Sequence, residues 1–240
     1  MHGLQQKGRL VQKSCPHRLL YSANLPFGTQ IYYTIRTMIT EVIFDIETKR
    51  LFSEVEGNDP TLLGVSIVAA YIRQVDADQH EISGELRSFW EEDLSELWSI
   101  MNTAKRIIGF NTIKFDVPVL LPYAPENFSR LPHFDIMQHV RSKLGHALSL
   151  STLGKYTLGR DKTDVGTNAV LYWNQHDEES LKKLKEYCEA DVMLTRDLYD
   201  YGVINRELKY IDNWNTVASF PVDFSYPKEV IDSTRQIGLF

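Results

Sequence analysis

Over residues 41–110 the hydrophobic positions recur first every second residue and then every third or fourth. From Glu41 to Glu47, β-branched and polar residues alternate as in a half-buried strand. Leu62 to Ile72, rich in Val, Ile and Ala, reads as a second, buried strand. Glu81 to Phe89 reads as a third, and the three predict an antiparallel meander. Glu91-Glu92-Asp93 then opens a helix with acids at its positive end, and Leu94, Leu97, Trp98 and Met101 form its apolar face. Arg106 to Phe110 predicts a short core strand. A helix follows from Asp116, with Pro118 in its first turn, where the missing N–H costs nothing.

Phe134-Asp135 starts a further helix through Leu144, with Asp135 as its N-cap. Ser149 to Leu158 predicts a short helix ended by Gly159. Glu178 to Tyr201 is the longest helix, with Leu181, Leu184, Tyr187, Cys188, Val192, Leu194, Leu198 and Tyr201 at core spacing and Gly202 as its stop. Strands first and helices later, with one helix crossing between strands, predict an α/β domain: a mixed β-sheet flanked by α-helices.

At 240 residues, with 43% hydrophobic and 11% aromatic content, the chain can bury one good core without being split in two. No apolar run approaches the roughly 18 to 20 residues that span a bilayer, so no membrane partner is expected. Cys15 and Cys188 match neither a disulfide framework nor a zinc spacing, which points to a reducing, cytoplasmic setting. Cys188 is expected as a small buried hydrophobe.

Charge is uneven. Residues 1–37 carry Lys7, Arg9, Lys13, Arg18 and Arg36 and no acid; since the whole chain is −6, the remainder stands at −11. That segment is expected to be a disordered or spurious extension ahead of Met38. A targeting sequence or a substrate-holding arm are the alternatives. The domain proper is placed at 38–204, with 205–240 as a tail packing back on it. So acidic a body does not suit long duplex, which needs many phosphate-neutralising cations. It does suit gripping a few nucleotides at a chain end.

Four acids stand inside or beside apolar runs, where a charge is costly unless compensated. They are Asp45 and Glu47 in Phe44-Asp45-Ile46-Glu47-Thr48, Asp116 in Asn111-Thr112-Ile113-Lys114-Phe115-Asp116, and Asp191 in Tyr187-Cys188-Glu189-Ala190-Asp191. On a strand, Asp45 and Glu47 project to one side and repel each other unless a cation bridges them. On a helix, Tyr187 and Asp191, four apart, present a phenol and a carboxylate to one spot. Hard oxygen donors suit Mg²⁺ or Mn²⁺. Two such ions would compensate all four acids, which points to metal-assisted phosphodiester hydrolysis.

These motifs resemble those of the DEDD-type 3′–5′ exonucleases, which have a ribonuclease H-like fold. Phe44 to Thr48 looks like their first motif, and Asn111 through Phe115-Asp116 like the second, as in the proofreading domains of family B DNA polymerases. Tyr187 to Asp191 resembles the third motif in its tyrosine variant; the histidine variant would need His where Glu186 stands. Leu148 through Gly159, with Lys162, Gly166 and Ala169, also looks like the stand-alone bacterial YprB-type proteins. The resemblance runs from Met38 to Tyr201.

It implies that Asp45, Glu47, Asp116 and Asp191 hold two Mg²⁺ or Mn²⁺ ions, with Tyr187 beside the attacking water. The implied substrates are single-stranded DNA or RNA 3′ ends, DNA favoured over RNA, and the products nucleoside 5′-monophosphates. A helicase or other repair or processing protein is a possible partner. The competing reading is a non-catalytic or partner-activated docking module on the same fold. Asn111, Lys155, Arg160 and Lys162 are the candidate substrate-binding residues. Tyr210, Trp214, Phe220 and Phe224 either stack on bases or pack back on the domain.

Overall fold

The computed structural model describes residues 19–24, 30–35, 38–160 and 166–231, with the backbone alone for 19–24, 30–35, 166 and 167. Within the amino-terminal segment, β1 (Leu19–Asn24) pairs antiparallel with β2 (Gln30–Ile35). The main sheet begins with β3 (Ile39–Thr48), β4 (Val65–Val75) and β5 (Glu81–Trp90), the antiparallel meander that the alternation predicts. After a turn at Glu91–Asp93 come α1 (Leu94–Met101), β6 (Arg106–Gly109), α2 (Asp116–Leu120) and β7 (His133–Asp135). Then follow α3 (Ile136–Leu144), α4 (Leu150–Leu153), α5 (Gly166–Gln175), α6 (Glu178–Asn205) and a hairpin of β8 (Glu207–Ile211) and β9 (Val217–Pro221).

The five-stranded sheet has the order β5-β4-β3-β6-β7, with β6 parallel to both β3 and β7. This is the expected mixed α/β sheet flanked by helices. Alternation along β3 feeds two cores. Val42, Phe44 and Ile46 pack with Val68, Phe89, Leu97, Met101 and Phe128 under α1 and α2. Ile43, with Ile67 and Ile108, packs against α3, α4, α5 and α6 through Val140, Leu153, Ala169, Leu184 and Cys188. Asp45 and Glu47 share the α6 side of the strand with Ile43.

At the other end of β3 a buried polar network ties α6 and residues 224–226 to the sheet. Glu41, fully buried, accepts from Arg73 Nε at 2.8 Å and from the Tyr226 hydroxyl at 2.7 Å. Arg73 also reaches Asp200 of α6 with both terminal nitrogens. Arg106 donates to the Tyr199 hydroxyl at 2.6 Å and to the Phe224 carbonyl at 2.7 Å, and lies over the Tyr226 ring. Each buried charge here has a partner of opposite sign or several hydrogen bonds, as burial demands.

Two local expectations are corrected, and a third is borne out with a detail added. Phe134 lies in β7 rather than in a helix; Asp135 does cap α3, accepting from the Gln138 N–H at 3.2 Å. Gly202 does not end α6, which runs on to Asn205 and is closed by Arg206 in the left-handed region. Gly202 is there for packing, since a Cβ at this position would lie 2.4 Å from the Phe224 ring. Residues 154–158 continue α4 as a π-helical turn, and Gly159, at φ +70°, closes it. No described helix is long and apolar enough to cross a membrane.

Candidate active site

Two elements built for opposite reasons meet at the centre of the molecule. β3 is a ten-residue strand whose even positions fill one core, which leaves Asp45 and Glu47 half-buried on the α6 side. α6 lays Leu184, Tyr187, Cys188, Val192 and Leu198 on that same face, and Asp191 is 5% exposed among them. The Cys188 thiol donates to the Asp45 carbonyl at 3.5 Å. One ligand atom from each of Asp45, Glu47 and Cys188 falls within 4.8 Å of the others.

Burial pushes the Cys188 thiol well up from its ordinary value, and the carboxylates of Asp45, Glu47 and Asp191 push it the same way. All three acids are thus close enough to act on one sulfur. Tyr187, 7% exposed, lies one turn before Asp191.

Asp116 arrives from the other side. β6 pairs with β3 only as far as Ile43, because the chain turns away after Gly109. Phe110 to Phe115 form a tight loop, with Asn111 at φ +67°, a conformation that asparagine tolerates better than most residues. Asp135 fastens this loop: its carboxylate accepts the Asn111 N–H at 2.9 Å and the Ile113 N–H at 3.1 Å. Asp116 then opens α2, 2% exposed, and its carboxyl accepts the Ile46 N–H on the β3 edge that β6 has left. Ile46 stands between Asp45 and Glu47, so all four acids gather at the carboxyl end of β3.

The Asp116 carboxyl is pushed up to about 8, first by burial and then by the charge of Asp135, against two backbone N–H bonds that pull it down. A group so placed stays protonated at neutral pH unless a cation comes beside it. Buried and half-buried carboxylates that repel one another, an oxygen-only hard donor set, fit a divalent cation of the Mg²⁺ or Mn²⁺ kind. Cys188, held as a neutral thiol, does not change that preference. A second acidic grouping, Asp76, Asp78 and His80, belongs to the exposed β4–β5 turn, where Asp76 accepts the N–H groups of the other two.

A family model described as the RNase_H superfamily matches residues 42–203. The chain belongs to the RNase_H superfamily. No curated protein matches it. The match runs from Val42 in β3 to Val203 in α6, and so takes in Asp45, Glu47, Asp116, Tyr187 and Asp191. Membership in the RNase_H superfamily suggests a nuclease, a class that works with divalent metals, and the acidic cluster could hold such an ion.

The remaining candidates of this RNase H-like domain lie further out. Asn111 belongs to the loop that delivers Asp116. Lys155 is exposed on the π-helical turn, whose Gly154 packs against Leu194, three residues beyond Asp191. Arg160 is exposed and paired with Asp197 of α6. Lys162 lies outside the described residues. Of the tail aromatics, Phe220 and Phe224 are buried, Tyr210 stacks edge-on against Phe220, and Trp214 is exposed at the hairpin turn.

Two residues of the site were not singled out for it by sequence reasoning. Cys188 was read only as core, although its place three residues before Asp191 puts both on one helix face. Asp135 was read only as a cap; nothing in the sequence announced that it also anchors the Asn111 loop.

Proposed function

We propose that this protein is a metal-dependent 3′–5′ exonuclease of the DEDD type, tyrosine variant, acting on single-stranded nucleic acid with DNA favoured over RNA. The observation that carries this reading is the gathering of Asp45, Glu47, Asp191 and Asp116 around the end of β3, with Tyr187 one helical turn from Asp191. Asp45, Glu47 and Asp191 would hold one divalent cation, and Asp45 with Asp116 a second. When bound, such ions supply positive charge to the phosphoryl oxygens and lower the pKa of water.

The chain's own groups do the positioning. The Tyr187 hydroxyl hydrogen-bonds the attacking water or the scissile phosphate. The hydrogen bond from Ile46 N–H fixes Asp116 relative to the strand that carries Asp45 and Glu47, so the acids are pre-organised before substrate arrives. Water oxygen bonds to phosphorus as the bond from phosphorus to the 3′ oxygen breaks, leaving a nucleoside 5′-monophosphate and a new 3′-hydroxyl. The acidic body disfavours long duplex and supports a single-stranded end as substrate.

Product chemistry tests the proposal. With Mg²⁺ or Mn²⁺, single-stranded oligonucleotides should yield nucleoside 5′-monophosphates on chromatography. Nucleoside 3′-monophosphates would contradict this mechanism, and undigested oligonucleotide would favour the docking module.

A further inference from the structure

Two tryptophans stand beside the acids and have no part in the chemistry above. Trp90 ends β5, and the sheet register connects it to the site: Glu47 pairs with Ile67, and Ile67 with Trp90. Directly paired residues share a face, so Trp90 and Glu47 lie on one side of the sheet, about 10 Å apart across two strand spacings. Trp173 of α5 approaches Trp90 with ring centroids 6.4 Å apart and planes tilted by 32°. Lys49, two residues beyond Glu47, holds its Nζ 5.0 Å from the Trp173 ring centroid and pairs with Glu91. Both tryptophans pack against the α6-side core and are only half-buried, and the Lys49 side chain is 30% exposed.

We propose that Trp173, with Trp90 and Lys49, forms a nucleotide subsite that stacks a base of the single-stranded substrate next to the bond being cut. The proposal rests on the nuclease reading above and adds where the strand lies. Stacking of a base on an aromatic ring is worth about 1–3 kcal/mol and tolerates any base, because every base has a π-face. Such tolerance suits an enzyme that removes successive nucleotides whatever their identity.

Lys49 supplies a cation beside the strand. The Lys49–Glu91 pair is only partly buried, with side chains 30% and 34% exposed, so a substrate phosphate can compete with Glu91 for the Lys49 ammonium. A tryptophan pair that merely closed the rim of the core would affect stability and have no sensitivity to the base.

The test uses the full chain carrying Asp45→Ala, expected to bind without cutting. Its affinity is measured for a short single-stranded oligothymidylate with Mg²⁺ present, and for versions with one abasic site at each of the last three positions in turn. One abasic position should weaken binding about tenfold. Adding Trp173→Ala should weaken the intact oligonucleotide by a similar factor and abolish that abasic effect, while Trp173→Phe retains most of it. Lys49→Ala, a surface change that leaves the core intact, should weaken every version alike. Equal affinity for intact and abasic strands, an abasic effect that survives Trp173→Ala, or no binding at all would overturn the subsite.

Cleavage by the unmutated chain is scored in parallel. Base-sensitive, Trp173-dependent binding with no cleavage would overturn the nuclease reading and leave the subsite standing. Cleavage without base sensitivity would overturn the subsite alone.

Discussion

The Asp116 carboxyl accepts the backbone N–H of Ile46, the residue between Asp45 and Glu47. The acid that is remote in sequence is thereby fastened to the strand that carries the first two. It occupies the edge of β3 that opens where β6 stops pairing after Ile43. Burial and Asp135 together raise this carboxyl to about 8.

A pH dependence of stability follows. Because the folded protein holds the Asp116 proton more tightly than the unfolded chain, the contribution of Asp116 to metal-free stability is highest below the ordinary carboxylate range. It is lost as pH rises from about 4 towards 8. In a chelator, Tm should fall by roughly 5 °C or more between pH 5 and pH 8. Saturating Mg²⁺ should restore most of it, and Asp116→Asn should flatten the metal-free profile. An unchanged slope in Asp116→Asn would contradict this assignment.

Removing a carboxylate from the cluster should remove activity without harming the fold. Asp45→Ala and Asp191→Ala should each lower the cleavage rate by on the order of 10³ or more. Their metal-free melting temperatures should stay level or rise, since each substitution relieves repulsion among buried acids. Circular dichroism melts beside rate measurements would show both; lost activity accompanied by lost structure would give the acids a folding role instead.

Tyr187→Phe separates orientation from metal binding. The ring packs in the α6 core and only the hydroxyl is lost, so turnover should fall about 10²-fold. Mn²⁺ affinity by titration calorimetry should stay unchanged. Weaker Mn²⁺ binding would place the phenol among the groups that hold the ion.

The Glu41 network predicts a purely structural defect. Tyr226→Phe deletes a 2.7 Å hydrogen bond to a fully buried carboxylate and should cost about 1–3 kcal/mol in urea unfolding. The rate of the remaining folded enzyme should not change, because Glu41 lies four residues along β3 from Asp45, at the far end of the sheet. Unchanged stability would mean that Arg73 and the Tyr199 hydroxyl satisfy Glu41 without Tyr226.

The sheet was legible because β3 and β4 are ten and eleven residues long, the first alternating and the second an apolar run rich in Val, Ile and Ala. β7 was not, because three residues have no period of their own and become a strand only by pairing with β6. α5 was missed: Ala169, Tyr172 and Trp173 do stand at i, i+3 and i+4, but the pattern lasts about one turn, too short to announce a helix by itself, and the helix is held by α6 and β3. Gly202 looked like a stop because a glycine that makes room for an aromatic ring from another segment cannot be told from a helix terminator by its neighbours. The separate contexts of Asp45, Glu47, Asp116 and Asp191 were visible as motifs, each set by local strand or helix period. Their convergence on Cys188 and Ile46 comes from the docking of α6 and of the Asn111 loop on β3, which the linear pattern does not encode.

The most direct measurement is digestion of 3′- and 5′-labelled single-stranded DNA and RNA oligonucleotides with Mg²⁺ or Mn²⁺, beside Asp45→Ala. A metal-dependent ladder shortening from the 3′ end, absent in Asp45→Ala and faster on DNA than on RNA, is the predicted result. Cleavage from the 5′ end, full activity in Asp45→Ala, or no cleavage of either polymer with metal bound would contradict it.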